Sequence, residues 1–281
     1  MATRITDYSP EITGQSNEEL VEIARWLIQN KKTAYLVGGW AVYHYTKHHK
    51  RAPAKFDSAK FDESGFDDFN GFEPLGSKDI DFVFPNTDEK QSFEYHYCKQ
   101  RGYKKRGIYA DKPWTRTTTG TPPVDIIIDL GVLSDEWKER GITITWKHMA
   151  RHNNRIPIQN GVELAVPTKE LLLLYKCFAI VSRTDQLGHP KAEVIRLTSK
   201  IWKDAFDILA LWDTGVEQAK LASLAKETSL ERIVRIARQI IGSSLPEFTI
   251  NRYKDDPNYL AIDKDPSIAT ETPDSYDPRF G

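Results

Sequence analysis

Two aspartates, Asp79 and Asp81, are the clearest candidates for a chemical role in the sequence. They lie in the run KDIDFVF. This run is typical of a β-strand, in which residues two apart project from the same face. Ile80 and Phe82 would then point into the core. Adjacent carboxylates repel each other, and a hard divalent cation with oxygen ligands relieves that repulsion, most commonly Mg²⁺ in phosphate chemistry. The pair therefore predicts a metal site.

A second run, VDIIIDL, has the strongest strand character in the chain and supplies a third carboxylate. Asp125 and Asp129 share a face, and either could serve. We favour Asp125, because a strand-end position lies where a substrate can reach it. Three carboxylates on neighbouring strands can hold two Mg²⁺ ions, with Mn²⁺ as the alternative ion.

Two adjacent glycines, Gly38 and Gly39, follow a short apolar run and precede a segment, Trp40 to Tyr45, that is typical of a helix. Their backbone N–H groups can therefore approach phosphate oxygens at a helix N-terminus. Taken alone, an Asp-x-Asp strand is most often a solvated face and a Gly-Gly pair is most often a turn. The order of the motifs along the chain is more informative than each motif.

That order resembles the polymerase-beta-type nucleotidyltransferase superfamily, on the segments Val37-GGW, Ser77-KDIDFVF and Val124-DI. The resemblance covers roughly residues 33 to 130. It implies a mixed sheet flanked by helices and transfer of a nucleoside monophosphate from a nucleoside triphosphate, such as ATP, to an acceptor hydroxyl. It also implies nucleotide contacts at Gly38, Gly39 and Ser77 and metal binding at Asp79, Asp81 and Asp125.

Two features depart from that pattern. The segment 47–76 separates the glycines from the aspartate pair and has neither helical nor strand periodicity. It is either a lid over the site or a disordered surface insertion. In addition, Trp40 stands where the superfamily commonly has a small or hydroxyl residue.

The segments LAVPTKELLLLYKCFAIVSR and KIWKDAFDILAL are similar to the AbiEii-type nucleotidyltransferases of abortive-infection and toxin–antitoxin systems. This resemblance implies that Lys176 contacts the nucleotide phosphates and that Asp204 orients the site. It also implies tRNA or protein as the acceptor, and a cognate antitoxin as a partner. Lys176 lies in an apolar helix, where a charge needs a partner or a ligand. In the alternative reading, Lys176 reaches solvent and Lys203 forms an ordinary i,i+4 ion pair with Asp207.

The pattern of predicted elements indicates an α+β protein. We expect a nucleotidyltransferase domain over 1–166, a helical bundle over 167–245 and an extended or partly disordered tail over 246–281. Ser16 and Glu19 have the spacing of a helix capping box. Further strands are predicted at 103–110 and 114–118, and a hairpin at 156–158 and 162–166.

Composition limits the function classes. The chain has 39 Lys and Arg residues against 40 Asp and Glu residues, so it has no overall basic excess for binding nucleic acid. It has no signal-peptide pattern, no membrane-length apolar run and only two cysteines, and we therefore expect a cytoplasmic protein. Two rival functions remain at this point. One is a small-molecule nucleotidyltransferase such as an antibiotic-modifying enzyme, and the other is a non-catalytic binding protein.

Overall fold

The computed structural model describes residues 10–48, 76–105, 113–139, 142–159, 161–188, 194–244 and 259–260. The predicted insertion at 47–76 and the tail at 246–281 lie almost wholly outside these residues. None of the helices in the described ranges combines the length and the hydropathy needed to cross a membrane. The chain divides into two compact units at Leu172 and Leu173, called here the N-terminal and the C-terminal unit.

The N-terminal unit contains three complete α-helices and nine strands among its described residues. They are, in chain order, α1 (Pro10–Gln29), β1 (Tyr35–Val37), α2 (Gly38–Thr46), β2 (Asp79–Phe84), α3 (Thr87–Phe93), β3 (Lys104–Lys105), β4 (Trp114–Thr117), β5 (Asp125–Val132), β6 (Glu136–Glu139), β7 (Ile142–Thr145), β8 (Asn153–Gln159) and β9 (Val162–Pro167). A π-helix, Glu94–Lys99, continues α3, and a 3₁₀ helix, Trp146–Ala150, precedes β8.

Seven of the strands form one mixed sheet in the order β3-β4-β5-β2-β1-β9-β8. The β2–β5 and β1–β9 pairs are parallel, and the other neighbours are antiparallel. Strands β6 and β7 form a separate hairpin, which the sequence did not predict. The predicted hairpin at 156–158 and 162–166 is confirmed as β8–β9, and the described part of the predicted 103–110 and 114–118 pair is confirmed as β3–β4.

Alternation along β5 places Ile126, Ile128 and Leu130 in the core, each less than a tenth exposed. Asp125 and Asp129 lie on the opposite, exposed face. The predicted period-two pattern is therefore confirmed.

The predicted capping box is wrong, because α1 begins at Pro10 and carries Ser16 and Glu19 in its interior. Both side chains are buried. The Ser16 hydroxyl donates to the Lys78 carbonyl (3.2 Å) and accepts from the Trp40 indole N–H (3.1 Å). Glu19 accepts from the Tyr97 hydroxyl (2.7 Å). The two residues thus join α1 to neighbouring elements, a role that has no local sequence signature.

The C-terminal unit is helical in its described residues, as the sequence predicts. It comprises most of α4 (Lys169–Leu187), together with α5 (Val194–Asp213), α6 (Gln218–Thr228) and α7 (Glu231–Ser244). The first residues of α4, up to Leu172, belong to the N-terminal unit. Its apolar side chains recur at helical spacing, and those of α7 (Ile233, Val234, Ala237 and Ile241) are buried while Arg232 and Arg235 are exposed. The predicted α+β class, with a mixed sheet, flanking helices and a helical C-terminal region, is confirmed.

Candidate metal and nucleotide site

Asp79 and Asp81 project from one face of β2, as predicted, and each is partly exposed. Ile80 and Phe82 between and beyond them are buried, at 0% and 1% exposure. Strand β2 lies between β1 and β5 in the sheet, so its carboxylates have a neighbouring strand on each side. The strand thus holds the pair rigidly at the middle of the sheet.

Gly38 brings the start of α2 against this pair. It is the first residue of α2 and directly follows β1, whose last residue, Val37, pairs with Asp81. Its φ of +69° lies in the left-handed region that favours glycine, and a Cβ at this position would overlap the Asp81 carboxylate. The helix start and the carboxylate can approach each other only because this residue has no side chain.

The register of β2 and β5 locates both candidates for the third carboxylate. Asp81 pairs with Asp129, and Asp79 pairs with Ile127. Asp129 is therefore directly beside Asp81 on the same face, whereas Asp125 lies four residues, or about 13 Å, from that level along the strand. Asp125 accepts a hydrogen bond from the Thr117 hydroxyl (2.6 Å), and Asp129 accepts one from the Leu130 N–H (2.9 Å).

One carboxylate oxygen of Asp79 is in an environment suited to binding a cation. Its Oδ1 is buried and has no hydrogen-bond donor among the described residues. A buried carboxylate oxygen without a donor is costly, and a hard cation would satisfy it. The described residues contain no group of three His, Cys, Asp or Glu side chains already arranged to hold a metal ion. The carboxylate chemistry therefore fits a divalent ion, while the complete ligand set remains a prediction.

The side chain of Trp40 is 2% exposed, although the residue follows the glycine turn. Its indole N–H is bonded to Ser16, and its ring lies so close to Gly76 that a Cβ there would come within 2.8 Å of it. Gly76 and Ser77 are both buried just before β2, and Ser77 is the residue predicted to contact nucleotide. Trp40 therefore supports the chain segment that leads into the aspartate strand, a role that sequence reasoning missed.

In the C-terminal unit, the predicted residues Lys176 and Asp204 contact each other. The Lys176 ammonium lies 3.0 Å from Asp204 Oδ1 and 2.7 Å from Asp207 Oδ2. Lys203 pairs with Asp207 at 2.9 Å, as the i,i+4 alternative predicted, and Arg183 pairs with Asp204. Lys176 is 8% exposed, so its charge is balanced by carboxylates and does not reach solvent freely. We call these five residues the charged cluster.

Burial and charge act in opposite directions on the charged cluster. Burial raises the pKa of Asp207, but the Lys176 and Lys203 ammonium groups beside it outweigh that effect and lower its pKa overall. Burial lowers the pKa of Lys203 in spite of the nearby Asp207 carboxylate. Asp207 therefore stays ionised although it is buried.

Neither a protein-family model nor a curated protein matches the chain. Its fold is similar to an antigenic nucleotidyltransferase-like protein from Paracoccidioides brasiliensis (11% identity, covering 94% of this chain and 99% of that one, TM-score 0.49). It is also similar to the lincomycin-bound lincosamide antibiotic adenylyltransferase LnuA (18% identity, covering 70% of this chain and 96% of that one, TM-score 0.38). A third similar structure is the antibiotic-resistance factor ANT(2'')-Ia (10% identity, covering 79% of this chain and 97% of that one, TM-score 0.38). At such low identity and TM-score, the function must be argued from this chain's own residues.

Proposed function

We propose that this protein is a metal-dependent nucleotidyltransferase that transfers a nucleoside monophosphate from a nucleoside triphosphate to an acceptor hydroxyl. One observation carries the proposal. Two carboxylates on one strand face, one of them with a buried oxygen that lacks a donor, adjoin a helix that begins at a glycine. Carboxylates suit a divalent ion, and a helix N-terminus suits a phosphate.

In this proposal Asp79 and Asp81 bind two divalent ions, Mg²⁺ or Mn²⁺. The ions, when bound, polarise the phosphates and lower the pKa of the acceptor hydroxyl. The acceptor oxygen forms a bond to the α-phosphorus while the bond to the bridging oxygen breaks, and pyrophosphate leaves. The hydroxyl proton passes to a carboxylate of the site.

The third carboxylate is either Asp125, favoured by its position at the strand end, or Asp129, favoured by the register. A ligand shared with both Asp79 and Asp81 must lie near both levels of β2. Asp129 is level with Asp81, whereas Asp125 is displaced beyond Asp79. The register therefore supports Asp129 as the third ligand and proton acceptor.

The remaining predicted contacts concern the nucleotide. Gly38 and Gly39 would offer backbone N–H groups to the phosphates, and Ser77 would add a hydroxyl just before β2. Lys176 would neutralise the triphosphate and Asp204 would orient it, as the AbiEii-type resemblance implies. Since Lys176 is paired with Asp204 and Asp207, its nucleotide contact requires exchange of at least one of these partners.

The acceptor proposed is tRNA or a protein side chain, and the proposed partner is a cognate antitoxin. Both come from the resemblance of α4 and α5 to the AbiEii-type sequences. A small-molecule acceptor is the rival outcome that the experiment below separates.

The proposal is tested with α-³²P-labelled nucleoside triphosphates, Mg²⁺ or Mn²⁺, and total tRNA, cell extract or aminoglycosides as acceptors. We expect labelled product from the wild-type protein and a loss of about 10³-fold in Asp79→Asn and Asp81→Asn, since metal stabilisation of the transition state is worth several kcal/mol. Label in tRNA or protein supports the proposed acceptor, and label in aminoglycosides selects the rival.

The variants Asp125→Asn and Asp129→Asn form a matched pair on one strand face, and the larger loss identifies the third ligand. Asp88→Asn, at an exposed position of α3, is the control and should retain full activity. Calorimetric titration of the protein with the Mg²⁺–nucleotide complex provides a second readout. If no acceptor is labelled and the protein does not bind the Mg²⁺–nucleotide complex, the proposal fails. That outcome favours the rival reading of a non-catalytic binding protein.

A further inference from the structure

A cavity of about 470 Å³ lies in the N-terminal unit, where the end of α2 meets β8. It is separate from the glycine turn, because His44 comes six residues after Gly38 in α2, or about 9 Å along the helix. Its volume lies in the range of small-molecule sites. The residues that line it are His44, Tyr45, Lys47, His48, Asn154, Arg155, Ile156 and Pro157.

His44 lines this cavity and holds the Lys47 ammonium in place. The side chain is 5% exposed, and its Nδ1 lies 3.1 Å from the Lys47 ammonium nitrogen. An ammonium group only donates, so Nδ1 accepts and the neutral ring carries its proton on Nε2. Burial, reinforced by the charge of Lys47 and by His48, lowers the pKa of His44 to about 3, which keeps the ring neutral. Nε2 is buried and has no partner among the described residues.

The cavity also carries positive charge without acidic counterparts. The Lys47 ammonium donates to the Ile158 carbonyl (3.0 Å) and to His44, both of which are neutral acceptors. Arg155 is exposed on β8. No acidic residue is among those that line the cavity, and neither cation has a carboxylate within ion-pair distance in the described part of the chain.

A polar wall and an apolar wall complete the cavity. The Tyr45 hydroxyl donates to the Pro167 carbonyl (2.8 Å) and accepts from the Asn154 amide (3.1 Å), which fixes the orientation of Asn154. Burial raises the pKa of Tyr45 to about 12, so the hydroxyl remains protonated. Ile156 and Pro157 supply apolar surface on the β8 side.

Two features oppose binding of an anion here. The carboxyl end of α2 carries partial negative charge, and Glu170 lies close enough to contribute to the raised pKa of Tyr45. Lys47 lies at the end of α2 and offsets the helix charge. Glu170 does not line the cavity. The charged side chains that line the cavity itself are therefore basic.

The geometry points to a second ligand site, in which this cavity binds a small molecule through an oxyanion group, a phosphate or a carboxylate. The ammonium of Lys47 and the guanidinium fork of Arg155 are the donors for that group, and His44 Nδ1 holds the Lys47 ammonium in place. The apolar surface of Ile156 and Pro157 receives the rest of the molecule. This inference does not depend on the proposed nucleotidyl transfer.

The site is tested with the full chain in EDTA, by titrating inorganic phosphate and acetate separately at constant ionic strength. Calorimetry measures binding, and ¹⁵N-edited NMR follows the imidazole nitrogens of His44, assigned from their absence in His44→Gln. We expect saturable binding of one or both anions and a shift of the His44 Nδ1 resonance, because Nδ1 accepts from the Lys47 ammonium that would contact the anion. Because charge-assisted hydrogen bonds are about twice as strong as neutral ones, Lys47→Met and Arg155→Gln should each weaken binding by about tenfold or more.

Lys104→Gln is the matched control, since it removes an exposed cation from β3 of the same unit and should leave binding unchanged. Arg155→Gln changes an exposed side chain and so tests the site even if Lys47→Met fails to fold. Saturation with phosphate alone identifies a phosphate-bearing ligand, and saturation with acetate alone identifies a carboxylate. Absence of saturation with both anions, or equal weakening by Lys104→Gln and Arg155→Gln, would overturn the inference.

Discussion

At the residue scale, the candidate metal site depends on two details, the absence of a side chain at Gly38 and the unsatisfied carboxylate oxygen of Asp79. Gly38 has no Cβ, and the space that a Cβ would take is filled by the Asp81 carboxylate. Asp79 keeps a buried oxygen without a donor. Proteins seldom leave a buried carboxylate oxygen in this state without a functional reason. These two details raise an ordinary Asp-x-Asp strand to a credible cation site.

Replacing Gly38 with alanine tests the close approach. Gly102 is the matched control, because its φ of +78° is equally left-handed but a Cβ there would meet nothing within 4 Å. We expect Gly102→Ala to cost about 1–2 kcal/mol from backbone strain alone. Gly38→Ala should cost about 2–4 kcal/mol, since overlap with Asp81 adds to that strain.

Urea unfolding gives the two free energies, and calorimetry gives Mg²⁺ affinity. Gly38→Ala should also weaken Mg²⁺ binding by displacing Asp81, whereas Gly102→Ala should not. Equal costs and unchanged Mg²⁺ affinity in both variants would show that the approach to Asp81 has no consequence.

At the element scale, the sequence predicts most helices and the central strands, because their apolar periodicity is local. It does not predict which residues of two strands stand side by side. Asp125 is favoured over Asp129 by its place at the strand end, yet the register puts Asp129 beside Asp81. Register depends on the packing of whole strands, which no short motif encodes. For the same reason, Ser16 and Glu19 resemble a cap while they serve as buried contacts between elements.

The charged cluster between α4 and α5 gives a prediction at this scale. Asp207→Asn leaves Lys176 and Lys203 buried with one carboxylate fewer, and we expect a loss of about 3–5 kcal/mol of unfolding free energy at neutral pH. The double variant Lys203→Met/Asp207→Leu removes a charge of each sign and should recover part of that loss. Urea unfolding of the three proteins measures both effects. If Asp207→Asn has wild-type stability, the Asp207 carboxylate contributes nothing to folding.

The pH dependence of stability follows from the lowered pKa of Asp207. A carboxyl with a lower pKa in the folded state stabilises the fold fully above its unfolded pKa of about 3.9. That contribution is lost as the pH falls through the lower, folded value. The wild-type protein should therefore lose stability below about pH 4 more steeply than Asp207→Asn. Parallel curves in acid would contradict the assignment of an ionised Asp207.

At the scale of the whole molecule, net charge bears on the proposed acceptor. The formal net charge is −1, so long-range attraction to a polyanion is weak. Sequence reasoning could establish this balance, because composition needs no structure. It could not establish where cations collect without acidic partners, as Lys47 and Arg155 do, because that depends on which strand lies beside which helix.

Nonspecific RNA binding should accordingly be weak. In fluorescence anisotropy with a random-sequence RNA at physiological salt, we expect a Kd at or above about 10⁻⁴ M, the weak end of nonspecific binding. A labelled tRNA that serves as acceptor should bind more tightly and in a structure-dependent manner. Micromolar binding of the random RNA, with a steep dependence on salt, would instead reveal a concentrated basic surface.

The strand order also has a consequence for how the chain is made. Tyr35 in β1 pairs with Ala165 in β9, which is the last strand of the N-terminal unit in the sequence. During synthesis on the ribosome, β1 and β2 emerge early, but this edge of β1 has no partner strand until residue 167 has left the exit tunnel. An unpaired edge in a partly made sheet invites association with other chains. The nascent protein would therefore gain from a chaperone that covers β1 until β9 arrives.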